Sequence, residues 1–144
     1  MIIAVDFDGT IVENRYPEIG RERPFAVQAL KMLIEQRHQI ILWTVRHGRC
    51  LDEAVSWCTE HGLEFYAVNT NYPEEKFSAE RMARKIDADI FIDDRSLGGI
   101  PDWGVIYRMI TENKTYRDVF LEEQPEEEVC TKPRFKLSNI FSKI

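Results

Sequence analysis

An apolar run that stops abruptly at two carboxylates constrains this chain more than any other stretch. Met1-Ile2-Ile3-Ala4-Val5 leads straight into Asp6-Phe7-Asp8-Gly9-Thr10. Four consecutive apolar residues suit a strand buried on both faces of a parallel sheet. An unpaired ionised carboxylate inside such a sheet would be very costly, so both acids belong at the C-terminal edge, facing a ligand. The period-two geometry of a strand puts Asp6 and Asp8 on one side and turns Phe7 into the core between them. Gly9 then lets the backbone turn beside whatever the acids hold.

Downstream, strand and helix patterns alternate. A polar connection carrying Pro and Arg runs from Glu13 to Pro24, and Phe25 to Arg37 then places Ala26, Ala29, Leu30, Leu33 and Ile34 at helical spacing. Ile40 to Thr44 has the composition of a second buried strand; Leu51 to His61 repeats the helical pattern until Gly62 stops it. Glu64 to Asn69 reads as a third strand, Pro73 to Lys85 as mostly helix, and Ala88 to Asp94 as a fourth strand that again ends in paired acids. Such alternation predicts an α/β fold, a three-layer sandwich around a central parallel sheet with right-handed crossovers. Ligands in these sheets bind at the carboxyl ends of the strands. Asp6 and Asp8, Thr44, Asn69 and Asn71, and Asp93 and Asp94 all fall at such ends, so the sequence converges on one site.

Asp6-Phe7-Asp8-Gly9-Thr10, followed by Thr44 and by Asp93-Asp94 at later strand ends, resembles the motif series of the haloacid dehalogenase superfamily of phosphohydrolases and phosphotransferases. The resemblance spans about Met1 to Arg95 and implies a Rossmann-like core. It further implies that Asp6 is the nucleophile that takes a phosphoryl group as an aspartyl-phosphate, and that Asp8 protonates the leaving group and then activates water. Thr44 matches the hydroxyl that hydrogen-bonds the phosphate. Mg²⁺ is the implied cofactor, with Asp6, Asp8 through its backbone carbonyl, Asp93 and Asp94 around it, and Gly9 and Thr10 lie beside the substrate. The chemistry suits the residue types: a carboxylate can attack phosphorus and leave again, and a hard cation offsets charge on the phosphoryl oxygens. The family's single Lys matches either Lys76 or Lys85; the order Arg84-Lys85-Ile86 just ahead of the last acidic strand favours Lys85.

Arg46 and Arg95 closely follow Thr44 and Asp94, and a guanidinium fork from either could reach a substrate phosphate, Arg46 being the better placed. His47 reads as a loop residue, and Trp43, Trp57, Phe91 and Trp103 as core, with Trp103 also able to flank a substrate. Asn69 and Asn71 either position a substrate or make turns. Ile11 to Pro24 is too short for a cap domain, and two helices and a strand use up Arg46 to Lys85, so a capless site is expected. An open site implies either a large substrate that shields the chemistry itself or an oligomer in which a neighbouring subunit acts as lid.

With 144 residues and 44% hydrophobic content the chain can bury one core. We expect that core over residues 1–124. Residues 125–144 form an acid-then-base tail, docked or disordered. A net charge of -6 argues against a broad nucleic-acid footprint. Cys50, Cys58 and Cys130 lack metal-ligand spacing, which suggests reduced thiols and a cytoplasmic protein, and no apolar run reaches membrane-spanning length. The expected function is Mg²⁺-dependent hydrolysis of a small phosphomonoester, a sugar phosphate or nucleotide, with a nucleic-acid-end phosphatase as one alternative. A phosphoacceptor receiver domain is another, but receivers place the acidic pair early, the phosphoacceptor Asp mid-chain and Lys last, whereas acids open and close the series here. A silent relative used for phosphate binding is the third; intact Asp6 and Asp8 speak against it.

Overall fold

The computed structural model describes residues 1–76, 78 and 84–123. Its elements run β1 (Ile2–Val5), α1 (Ala26–Glu35), β2 (Gln39–Leu42), α2 (Gly48–Glu60), β3 (Ala67–Val68), β4 (Ile90–Ile92), α3 (Trp103–Thr111) and α4 (Tyr116–Glu123). The strands form one all-parallel sheet in the order β3-β2-β1-β4. The α/β architecture read from the sequence is therefore the one observed, and no cap domain is present among the described residues.

Strand alternation separates two cores. Ile3, Val5, Phe7, Ile40, Leu42 and Ile92 face one side and pack with Ala26, Leu30 and Leu33 of α1, Ala54 and Cys58 of α2, and Trp103, Ile106 and Ile110 of α3. Ala4, Ile41 and Ala67 face the other side, under Ile86 and with Ala88 and Trp43 around them. β1, β2 and β3 succeed one another in one direction across the sheet, while β4 lies on the far side of β1. Ile86 and Ala88, which lead into β4, pack on the opposite face from α1 and α2, as crossovers of constant hand require. Of the helix expected over 73–85, residues 77 and 79–83 lie outside the described residues; the others are not helical, and 73–74 form a turn. The tail from residue 125 also lies outside them.

The edge strands β3 and β4 are shorter than the sequence suggests, because regular pairing holds only where the twisted neighbours stay in register. Single backbone bonds carry the alignment further: Tyr66 and Asn69 donate to Ile40 and Leu42, and Asp89 and Asp6 pair with Ile2 and Ile92. α2 starts at Gly48, three residues before the expected Leu51, with His47 in extended conformation at its N-cap. No helix among the described residues is long and apolar enough to cross a membrane.

Trp103 is core, 2% exposed, and its indole N–H donates to the carbonyl of Thr10 at 2.9 Å. α3 is thereby pinned under the turn that follows β1. Trp103→Phe should lower stability by about 1–3 kcal/mol, since a buried carbonyl loses its partner, and urea denaturation would measure it.

Candidate metal and phosphate site

β1 and β4 are neighbours in space but part in opposite directions of connection, which makes the gap beyond their carboxyl ends a topological switch point. The register pairs Val5 with Leu42 and with Ile92, so Asp6, Trp43 and Asp93 come next at one level. The Asp6 N–H donates to the Ile92 carbonyl at 3.0 Å. One carboxylate oxygen from each of Asp6, Asp93 and Asp94 falls within 4.8 Å of the others.

Three like charges at that spacing repel. Burial pushes the Asp6 carboxyl up to about 6; a backbone hydrogen bond at Phe7 works against the rise, and the charges of Asp93, Asp94 and Asp8 add to it. Asp94 Oδ1 is buried and accepts no hydrogen bond. An orphaned carboxylate oxygen beside two others is a donor set that a hard divalent cation would satisfy, so the residues present fit Mg²⁺.

The turn after β1 holds these acids in place. Phe7 O accepts from the N–H groups of Thr10, Ile11 and Val12 at 3.3, 3.0 and 3.1 Å, folding the chain back on itself. Thr10, fully buried, donates its hydroxyl to Asp6 Oδ2 at 3.4 Å and accepts from the Asp94 N–H at 3.0 Å. Thr10 therefore spaces the β1 and β4 acids and does not meet substrate, which corrects the expectation that it binds one. Gly9 is likewise part of the frame. Its φ is 85°, and a Cβ there would fall on Asp94 Oδ2, so only glycine lets the two strand ends approach this closely.

Asp8 and Arg46 depart furthest from expectation. Arg46 was expected to grip substrate phosphate, yet its side chain is 0% exposed and its guanidinium is saturated by the protein. Nε donates to Asp8 Oδ2 and Nη2 to Asp8 Oδ1, both at 2.7 Å. Nη2 also reaches Glu18 O at 2.9 Å, while Nη1 reaches Pro17 O at 3.0 Å and Cys50 O at 3.4 Å. All five N–H donors are thus used. The side-chain hydrogen bond that Arg46 donates to Asp8 raises its already high pKa, against the desolvation that lowers it. A buried carboxylate beside a strand end needed a fixed cation, and Arg46 is the one that reaches it. Asp8 is consequently absent from the carboxylate cluster; only its backbone carbonyl is left to serve a metal. Each Asp8 oxygen still keeps one lone pair, so the side chain can accept a proton while it stays in the fork.

Asp6, Asp8, Trp43, Thr44, Val45, Asp93 and Arg95 line a cavity of about 140 Å³. Thr44 Oγ1 accepts from the Arg46 N–H at 3.2 Å, which leaves its own hydrogen to donate elsewhere. Arg95 is exposed at the rim, with its N–H on Asp93 Oδ1 at 2.8 Å. Of the two arginines that follow Thr44 and Asp94, it is the one open to solvent at this cavity. A larger groove of about 540 Å³ runs along the β4 edge, lined mostly by apolar residues such as Ile90, Phe91, Ile106 and Ile110. It holds Asp93 but neither Asp6 nor Thr44, so the chemistry belongs to the smaller cavity.

Lys85 stands on the acid-bearing face, its Nζ 4.9 Å from the centroid of the Phe91 ring, and Phe91 shares that face with Asp93 two residues on. Lys76 is exposed just beyond the 73–74 turn. The asparagines make turns: Asn69, at φ 55°, accepts from the Thr44 N–H at 2.8 Å, and Asn71 bonds Glu75 and accepts from the Asp87 N–H at 2.7 Å. Sequence reasoning missed the Trp103–Thr10 tie and the seat of Arg46 under residues 16–18. No local signal reports either, since both join residues about thirty or more positions apart.

No family model and no curated protein matches the chain. A solved structure described as a conserved protein coded by a locus of Bacteroides thetaiotaomicron is similar to it, with 61% sequence identity and a TM-score of 0.79. The match covers 83% of this chain and 97% of that one.

In metal-free protein, the raised Asp6 pKa means that the folded state binds a proton more tightly than the unfolded one. Its contribution is therefore present below about pH 4 and is lost as pH rises through about 6. Asp6→Asn removes that loss. The melting-temperature gain of the variant over wild type in EDTA should be larger at about pH 7.5 than at about pH 4.5.

Proposed function

The chain belongs to one family with that conserved Bacteroides thetaiotaomicron protein, and from the residues of its own site we propose that it is a Mg²⁺-dependent phosphomonoester hydrolase, a capless relative of the haloacid dehalogenase phosphatases. The observation that carries the proposal is the cluster of Asp6, Asp93 and Asp94 at the switch point, with one Asp94 oxygen buried and unpartnered. Acids gathered for stability alone would pair with cations, as Asp8 does with Arg46. Asp6 and Asp93 instead share one small cavity with Thr44 and the exposed Arg95, and Asp94 stands beside them.

A carboxylate oxygen of Asp6 attacks phosphorus while the ester oxygen departs with a proton from Asp8, leaving a phosphoryl group on Asp6. Water then attacks that phosphorus and gives a proton to Asp8, and Asp6 leaves as a free carboxylate. Thr44, Arg95 and Lys85 donate to the phosphoryl oxygens, where negative charge is greatest in the transition state. Asp6, the Asp8 carbonyl, Asp93 and Asp94 would hold Mg²⁺, which when bound would supply the positive charge that lets a phosphate dianion approach this acidic edge. The cavity of about 140 Å³ is of a size for a phosphoryl group rather than a whole sugar phosphate or nucleotide. The rest of such a substrate would lie outside it.

Phosphate release from a panel of phosphomonoesters, with and without Mg²⁺, tests the proposal. Release should require the metal and fall by about 10³-fold or more in Asp6→Asn with the fold retained. Metal-independent release, or turnover surviving in the variant, would overturn it. Lys85→Ala should cost about 10²-fold in kcat, whereas Lys76→Ala should stay within about threefold of wild type. The reverse order would reassign the phosphate lysine.

A further inference from the structure

We propose that Arg46 is a positioning residue that couples Asp8 to a short flap, Tyr16–Glu18, so that the acid–base group and the flap hold their places together. The catalytic half of this inference rests on the phosphatase reading above; the mechanical half does not. Stability alone is a weak reason for such a pair, because burying two charges costs about as much as their attraction returns, and apolar residues of similar volume often do as well. What the pair supplies is geometry. One guanidinium holds both Asp8 oxygens at 2.7 Å and, through its remaining donors, the carbonyls of Pro17 and Glu18 at 3.0 and 2.9 Å.

The rings of Phe7 and Tyr16 also pack on it, with the guanidinium carbon 5.1 and 5.3 Å from their centroids. Phe7 belongs to the core, whereas Tyr16 is 50% exposed. The cation therefore stands between the frame of the site and a segment open to solvent. At its base the connection is held by Glu13 N–H to Arg21 O and Arg23 N–H to Ile11 O, and Ile19 packs on the core. Arg46 holds the tip between them. A lysine could not replace it, since a single ammonium cannot span a carboxylate fork and two carbonyls at once. In a chain without a cap domain, this connection is the polypeptide that leaves the site just after Asp8, and Arg46 sets its height over the acid.

Limited trypsin digestion of the full chain, with fragments identified by mass, tests the coupling. Arg15, its side chain 63% exposed, lies beside the flap tip, and Arg49, 90% exposed on α2, serves as an internal control. Asp8→Asn removes one arm of the fork without touching the flap. Cleavage after Arg15 should accelerate about tenfold while cleavage after Arg49 does not, as expected for a local opening that has lost one charged tie. An unchanged rate at Arg15, or equal acceleration at both sites, would overturn the coupling.

Tyr16→Leu supplies the reverse direction, from flap to acid. It should lower kcat for an alkyl phosphate, whose leaving group needs a proton, more than for p-nitrophenyl phosphate, whose leaving group does not. Equal losses on both substrates would overturn the catalytic half. If wild type released phosphate from neither ester, the phosphatase reading would have failed, and the digestion alone would decide the mechanical half.

Discussion

Four carboxylates at one edge of a sheet repel one another, and most of this structure can be understood as the means of holding them there. Asp8 is neutralised from within by Arg46. Asp6, Asp93 and Asp94 are not, and burial leaves Asp6 holding its proton far more tightly than an ordinary carboxyl. The fold separates the two solutions by one residue of strand geometry. Asp6 continues the face that carries Ala4, Phe7 turns into the opposite core, and the tight turn at Phe7 O swings Asp8 toward β2. The charge left uncompensated is concentrated on the β1–β4 side, where strand connectivity reverses.

Keeping that cluster compact falls to residues that look unremarkable in sequence. Thr10 spaces Asp6 from the β4 backbone by accepting on one side and donating on the other, and Trp103 fixes Thr10 from behind. Gly9 removes the one Cβ that would push Asp94 away. Each acts through a different neighbour, so the acids are braced from the turn, from β4 and from α3. Such bracing is what a site needs if like charges are to stay together until a cation or substrate arrives.

The sheet and its polarity were legible because buried parallel strands write their burial directly into composition, as Ile2–Val5 and Ile40–Leu42 do. The clustering of Asp6, Thr44, Asp93 and Arg95 followed from the rule that parallel strands deliver their ends to one edge. The direction in which each side chain points there was not legible. Arg46 was given to the substrate because it leaves β2 beside Thr44. Its actual partners, Asp8, Pro17 and Glu18, lie 28 to 38 positions earlier in the chain, and periodicity carries no information about such pairs. Thr10 was misplaced for a related reason: a hydroxyl next to the acids in sequence can face inward to organise them or outward to meet a ligand.

The exchange between Arg46 and Arg95 bears on how an open site can still be selective. A buried arginine with every donor engaged gains nothing from a phosphate, because binding one would strip Asp8 of its partner at a cost of several kcal/mol. An exposed arginine at the rim gives up only water to do the same work. On the phosphatase reading proposed above, the interior cation would serve geometry and the exterior one recognition. That division also explains why the connection from Glu13 to Pro24 can be short. With Arg46 holding its tip, the segment needs no core of its own to keep a defined position near the acids, and a domain inserted there would have to break that hold before it could close over the site.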